Sequence, residues 1–498
     1  MEKSKKFDCL AKIIYQPRSS AALDCLMDIK RNNLTEGSVF KSLLALSVPI
    51  IIVQLLHTAY QLTDTFWVGR LGANAIAAVS ISFPVIFLLN SLAGGLTMAG
   101  NILVAQYKGK ENREAVNYIA AQTLLAVTVV ALLLSVVGYL ISPYLIGLMG
   151  VEEAVFIDAV AYLKISFLGI IFMFLSFIFQ ALMRGVGEVK IPMYIILATV
   201  LLNLFLDPLF IFGWKIIPAM GVAGSAWATI ITQGISALAG LFILFRGKKE
   251  ISLNLSDLKF DFSLIKRMFA LGLPASIEQS TRSFGLMIIT FLVATFGTTI
   301  VAAYGIGARM LSLIIIPSMG LSMATSTLVG QNVGAGKIDR AGKIIKVSAL
   351  AGFVFLTLAG LFMFLFAEVL CSFFVPGETE TIQLGSAYIK IMAFSFGFIA
   401  LQMVMTSVFR GVGMTFTAMI LSVAILWGLE LPLAFILSKY TGLAETGLWL
   451  SLPIANILGA AISVFWFWRG SWKEKRITEE IKVLERQAIE EVILEEGL

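Results

Sequence analysis

The 498-residue sequence has one histidine, His57, and three cysteines, Cys9, Cys25 and Cys371. A single histidine cannot assemble a histidine-rich metal site or a hydrolytic triad. The cysteines show neither CxxC nor metal-ligand spacing, so no disulfide framework is expected. Charged residues make up 14% of the chain, against roughly 25% in soluble domains. GxSxG and HExxH are absent. The stretch GQNVGAGK (330–337) has five residues between its outer glycines where a phosphate loop has four, and Ile338 stands in place of Ser or Thr. These absences exclude an ordinary soluble enzyme, and no catalytic residue or cofactor is assigned. The net charge of +6 is too small and too scattered to suit nucleic acid.

Apolar residues, by contrast, make up 58%, and the mean hydropathy is +0.92. A spanning helix needs about 20 mostly apolar residues. Twelve such runs occur, at 46–69, 77–104, 117–141, 158–182, 191–212, 220–245, 271–295, 302–329, 343–370, 384–409, 416–438 and 446–468. They are too long and too continuous for barrel strands, and helices satisfy their own backbone inside lipid. The expected fold class is therefore an all-α membrane protein with twelve transmembrane helices.

Basic residues set the expected orientation. Lys108, Lys110, Arg113, Arg184, Lys190, Arg246, Lys266, Arg267, Lys337, Arg340, Lys343 and Arg410 fall on one side, with both tails. The opposite loops hold only Arg70, Lys215 and Lys439. A multi-pass inner-membrane protein with both termini cytoplasmic is expected. No signal-peptide pattern leads the chain, so residues 1–42 read as a cytoplasmic extension. At 471–498, Ile477, Ile481, Leu484, Ala488 and Val492 recur at helical spacing and read as a cytoplasmic amphipathic tail.

The chain repeats itself. ALSVPIIIVQ (45–54) aligns with ALGLPASIEQ (270–279), matching Pro49 to Pro274 at an offset of 225. VAQYKGK (104–110) meets VGQNVGA (329–335) at the same offset; AYLKI (161–165) meets AYIKI (387–391), and RGVG (184–187) meets RGVG (410–413), at 226. Six helices per copy is an even number, so the copies enter the membrane in the same direction. The expected architecture is two parallel, pseudo-symmetric six-helix lobes, 43–245 and 269–470, joined by a cytoplasmic linker at 246–268. Substrate sites in such duplicated bundles lie near the interface of the repeats.

An ionisable group at the bilayer centre costs roughly 2.5–3.5 kcal/mol on insertion scales, which makes it a functional candidate. Asp64 and Asp207 each lie about five residues from the outer end of their helix, at matched depth. Tyr60 precedes Asp64 by four residues and Asn203 precedes Asp207 by four, each on its acid's own helix face. Pro208 frees a backbone carbonyl beside Asp207, and Pro49 is expected to kink the first helix. Such a set of hard oxygen atoms suits a proton or a small cation. Secondary candidates are His57, Glu278, Arg282 and Glu430. Glu278 and Arg282 read as an i,i+4 ion pair, and Glu430 as a second coupling site or a partner for a base such as Arg309.

Several stretches together resemble the multidrug and toxic compound extrusion (MATE) family, in its prokaryotic branch: QLTDTFWVGRLGANAIAAVS (61–80), VAQYKGKENREAV (104–116), RGVGEVKIPM (184–193), NLFLDPLFIF (203–212), GVAGSAWATIITQ (221–233) and LVGQNVGAGK (328–337). The resemblance covers roughly 40–470. It implies a V-shaped pair of lobes and cation-coupled export of amphipathic, often cationic compounds. It also implies roles for Pro49 as a hinge and for Tyr60, Asp64, Asn203, Asp207 and Thr229 in the cation site. Two positions depart from the family pattern: His57 replaces an amide, and Arg282 falls where some members place an acid, with Glu278 one turn earlier.

The expected function is a secondary active exporter that works by antiport with H+ or Na+, sodium being held by Asp64, Asn203, Asp207 and Thr229. The alternative is a lipid-linked saccharide flippase or another exporter of the same superfamily. The expected partners are the lipid bilayer and the cargo alone, with no nucleic acid, and the chain is expected to be a monomer.

Overall fold

A computed structural model describes residues 34–247 and 250–473. Cys9, Cys25 and most of the expected N-terminal extension and C-terminal tail lie outside these residues. The first half is six helices: α1 (Val39–Gly69), α2 (Ala73–Gly109), α3 (Arg113–Gly147), α4 (Glu153–Gly185), α5 (Lys190–Phe212) and α6 (Val222–Arg246). The second half begins with α7 (Phe262–Ala294), α8 (Thr298–Gly334) and α9 (Ile338–Leu365). It continues with the short α10 (Ala367–Phe374), then α11 (Thr379–Ala393) and α12 (Phe396–Gly411). Last come α13 (Thr415–Val423), a π-helical turn at Ala424–Glu430, α14 (Leu431–Lys439) and α15 (Ala444–Trp468). No extended strand occurs among the described residues.

Each expected apolar run is helical, for the reason hydropathy supplies: without water, the backbone must bond to itself. Among the described residues, ten helical stretches are long and apolar enough to span, and α11 with α12 forms an eleventh, bent by 50°. The twelfth span, α7, is 33 residues long but carries Lys266, Arg267, Glu278 and Arg282, which dilute its apolar character. The second half is less regular than the run lengths implied. The expected span 343–370 ends at Leu365 and is followed by a separate short helix, and the span 416–438 contains the π turn, which inserts backbone into the helix.

The two halves exchange their first helices. In α1, Leu43, Leu46 and Ile50 join a core made mainly by the second half, with Leu328, Ile344 and Val408. Further along, Val53 and Tyr60 pack instead on Ile196 and Val200 of α5. The mirror arrangement holds for α7: Leu264, Met268 and Leu271 join the core of the first half, whereas Ile289 and Val293 join that of the second. Pro49 and Pro274 sit where each helix changes partner. Each removes one backbone hydrogen bond, yet α1 runs unbroken through Pro49. The approach of α2 to α7 requires glycine: a Cβ added to Gly95 would lie 2.4 Å from the Gly272 carbonyl oxygen.

The segment after α6 lies on α3. Gln122 Nε2 donates to the carbonyls of Asp257 (2.9 Å) and Lys259 (2.5 Å), and Asn117 Oδ1 accepts from the Ser252 N–H (2.9 Å). Lys108 pairs with Glu250 at 2.5 Å. The ends of α2, α4, α8 and α12, together with this segment, form one face rich in Lys and Arg, called the basic face below.

Candidate cation site

Asp64 and Asp207 come from α1 and α5, each five residues before its helix ends at Gly69 and Phe212. Matched depth puts them side by side, and the two carboxyl groups are within hydrogen-bonding reach of each other. Asp207 and Asn203 are fully buried. The i,i+4 spacing on α5 lets Asn203 Nδ2 donate to Asp207 Oδ1 at 3.1 Å. From α6, Thr229 Oγ1 donates to Asp64 Oδ2 at 3.4 Å. Tyr60, one turn before Asp64, hydrogen-bonds Thr232 Oγ1 at 2.6 Å. That hydroxyl also lies 3.0 Å from the carbonyls of Ala228 and Thr229, so the tyrosine fixes the α6 turn that presents Thr229.

Three buried acceptors in this cluster find no donor: Asp64 Oδ1, Asp207 Oδ2 and Asn203 Oδ1. Buried polar atoms are normally satisfied; these three oxygens, two on the neighbouring carboxyls and one on the Asn203 amide, are what a positive guest would satisfy. The donor set is hard oxygen, which fits H+ or Na+. Among the described residues there is no cluster of three or more His, Cys, Asp or Glu to hold another kind of metal ion.

The structure brings together Tyr60, Asp64, Asn203, Asp207 and Thr229. Sequence reading missed Tyr162 of α4. It packs on Val68, Ile211 and Val222, one turn beyond both acids, within electrostatic reach of each. Its signal was present in the repeated AYLKI motif. Pro49 lies just over four turns from Asp64 along α1, at the change of partner. His57 points elsewhere: its Nε2 is 3.5 Å from Gln180 Oε1, and its ring meets Phe177 edge-on.

The expected Glu278–Arg282 pair is not formed. Glu278 instead accepts from Arg410 of α12 and from Ser422 of α13 (2.6 Å). Neighbouring helices offer Glu278 a short, shielded contact, while Arg282, farther along α7 and exposed, lies within electrostatic reach of Glu430. Arg309 is not the partner of Glu430 either; its guanidinium lies 5.9 Å from the Phe374 ring centroid.

The MatE family model matches this chain twice, at 49–209 and 274–436, well over half of the sequence. The matches begin at Pro49 and Pro274, the two ends of the 225-residue offset. The probable multidrug resistance protein YoeA of Bacillus subtilis is 29% identical over 452 residues, covering 90% of this chain and 97% of that protein. An FAD transporter of Shewanella oneidensis is 26% identical over 431 residues, covering 86% and 94%. A solved outward-facing structure of a multidrug resistance MATE family transporter superposes with a TM-score of 0.81 at 24% identity, covering 87% of this chain and 96% of that one. Duplicated matches over both halves, in a multi-pass bundle of the same fold, have one meaning: this chain belongs to the MATE family of membrane transporters and is not an enzyme.

Proposed function

We propose that this chain is a secondary active multidrug exporter, driven by antiport of H+ or Na+ through alternating access. The observation that carries this reading is the pair of neighbouring buried carboxyls, each with an unsatisfied oxygen, beside the unsatisfied amide oxygen of Asn203. Two adjacent carboxylates repel each other, strongly so out of water. A proton shared between Asp64 and Asp207, or a sodium ion held by Asp64, Asn203, Asp207 and Thr229, relieves that repulsion and draws α1 toward α5. The pull is transmitted along α1 to Pro49, where the helix passes from one half to the other. An ion bound in the first half thereby biases the contact between halves, and a ligand shifts such an equilibrium only by its differential affinity for the two states.

The positive-inside rule supports reading the basic face, and with it both termini, as cytoplasmic; the protein is proposed to act in the inner membrane as a monomer. The names of the Bacillus and Shewanella relatives support two cargo classes, drugs and FAD, an anionic dinucleotide. Few basic residues stand inside the spans, which favours amphipathic or cationic cargo over the dinucleotide or a lipid-linked saccharide.

The test is proteoliposome efflux of a fluorescent organic cation, with FAD as a second cargo, under separately imposed proton and sodium gradients. Cation efflux driven by at least one gradient is expected, falling to background in Asp64→Asn and Asp207→Asn while both variants stay folded. Efflux that persists in both variants removes the coupling assignment; efflux of FAD alone replaces the cargo.

A further inference from the structure

The motifs VAQYKGK and VGQNVGA, together with the two RGVG copies, play no part in the cation site, yet they meet on the basic face. Gln106 Nε2 of α2 donates to the carbonyl of Gly411, the last residue of α12, at 3.1 Å. Gln331 Nε2 of α8 donates to the carbonyl of Gly185, the last residue of α4, at 2.8 Å. Gln106 and Gln331 are repeat partners at offset 225, and Gly185 and Gly411 at 226, so the two bonds are one interaction made twice, in opposite directions across the boundary between halves. Both side chains are shut off from solvent, with 0% and 3% exposure.

The crossing is backbone-tight in the same reciprocal way. A Cβ on Gly109 would lie 1.9 Å from the Gln331 carbonyl oxygen, and one on Gly334 would lie 2.0 Å from that of Gln106. The segment before α1 covers one of the two bonds. Leu34 packs against Gly187, beside Gln331 Nε2. It is held there by Asn332 and Arg340, which donate to its carbonyl, and by Lys337, which donates to Thr35 Oγ1 at 3.0 Å.

We infer that Gln106 and Gln331 are the gate residues of transport on the basic face: a two-fold latch that holds the halves together there and must open for cargo to enter. The acceptors explain why such a latch can be reversible. Carbonyls in the last turn of a helix have no partner within the helix. Gly185 and Gly411 are satisfied across the boundary when the gate is shut, and water can satisfy them when it opens. A hydrogen bond of small net strength shifts an equilibrium by roughly two- to tenfold, enough to set populations without locking one state. The inference deepens the alternating-access reading above and rests on it, but its test needs no transport.

The experiment is pulsed electron paramagnetic resonance on the full chain in nanodiscs, in a background without native cysteines. One spin-label pair spans the halves at Glu114 and Asp339, both exposed on the basic face. A control pair lies within the first half, at Glu114 and Lys190. In the parent chain a single short distance is expected between the halves. Gln106→Leu and Gln331→Leu should each raise the ratio of longer to shorter distances by about two- to tenfold, and the double variant by more. The control distance should not move, whereas a merely structural role would broaden both. If the leucine variants do not fold, Gly334→Ala tests the same crossing, because its added methyl has only rigid backbone to push against. An unchanged distance between halves in the double variant, or in Gly334→Ala, overturns the assignment. A shift in distance together with ungated or uncoupled efflux leaves the latch standing and removes the coupling scheme instead.

Discussion

In the first half, Asp64 and Asp207 face each other beneath Tyr162. At the matching place in the second half Ile289 stands for Asp64, by the offset of 225. Gly224 sits against Phe210 as Gly447 sits against Leu437, which fixes the register of the later helices. In that register Ala434 answers Asp207, Leu452 answers Thr229 and Gly285 answers Tyr60. The space that Tyr60 fills in one half is taken by Leu426 of the π turn in the other, 2.5 Å from where a Gly285 Cβ would be. Only Glu430, in the register of Asn203, is an acid, and Arg282 offsets its charge. Duplication therefore copied the scaffold and left the socket in one copy. On the proposed coupling scheme, one lobe that senses the ion works against one that lacks the acid pair.

The contrast can be tested at three strengths. The largest effect is expected at the ion pair that only the second half possesses. Arg410 meets Glu278, while its repeat partner Arg184 has Val53 at the acid's place. Arg410→Ala leaves a largely buried carboxylate without its counter-charge, held only by the Ser422 hydroxyl, and should cost about 3 kcal/mol, read as a lowered midpoint of thermal unfolding in detergent. Arg184→Ala and Arg282→Ala should cost less, under about 1 kcal/mol for the exposed Arg282; equal losses for all three would erase the asymmetry. Next is a transplant. Ile289→Asp puts an acid into a site without partners and should destabilise the protein by roughly 2.5–3.5 kcal/mol. Asp64→Ile, the reverse exchange, should keep or raise the unfolding midpoint while abolishing coupling. A harmless Ile289→Asp would mean that the second half still accommodates a charge. Smallest is Tyr60→Phe, which loses the bond to Thr232. About 1 kcal/mol of positioning corresponds to roughly a fivefold higher ion concentration for half-maximal efflux, and an unchanged ion dependence would reduce Tyr60 to packing.

Hydropathy made the helices legible, since lipid leaves a 20-residue apolar run few alternatives. The repeat made the halves legible, since a gapless offset of 225 ties Pro49 to Pro274. Charge made the acids legible, since a carboxylate in a span is expensive enough to need a reason. The rest depended on which neighbour each face meets, which periodicity does not encode. Periodicity pairs Glu278 with Arg282, since both lie on one face of α7, but reach across to α12 wins when the cross-helix guanidinium is better shielded. Tyr162 went unnoticed because a lone tyrosine near the end of a span looks like an interfacial anchor. Nothing in the run of apolar residues indicated that α1 and α7 begin against the opposite half.

That exchange has a consequence for how the chain is made. As α1 to α6 enter the bilayer, the lower part of α1 has no partner, and the groove on α2 and α3 that receives α7 stays empty until residues 262–271 are synthesised. Neither half is a finished folding unit by itself. The membrane must hold an open, half-built bundle until the second copy arrives and closes both.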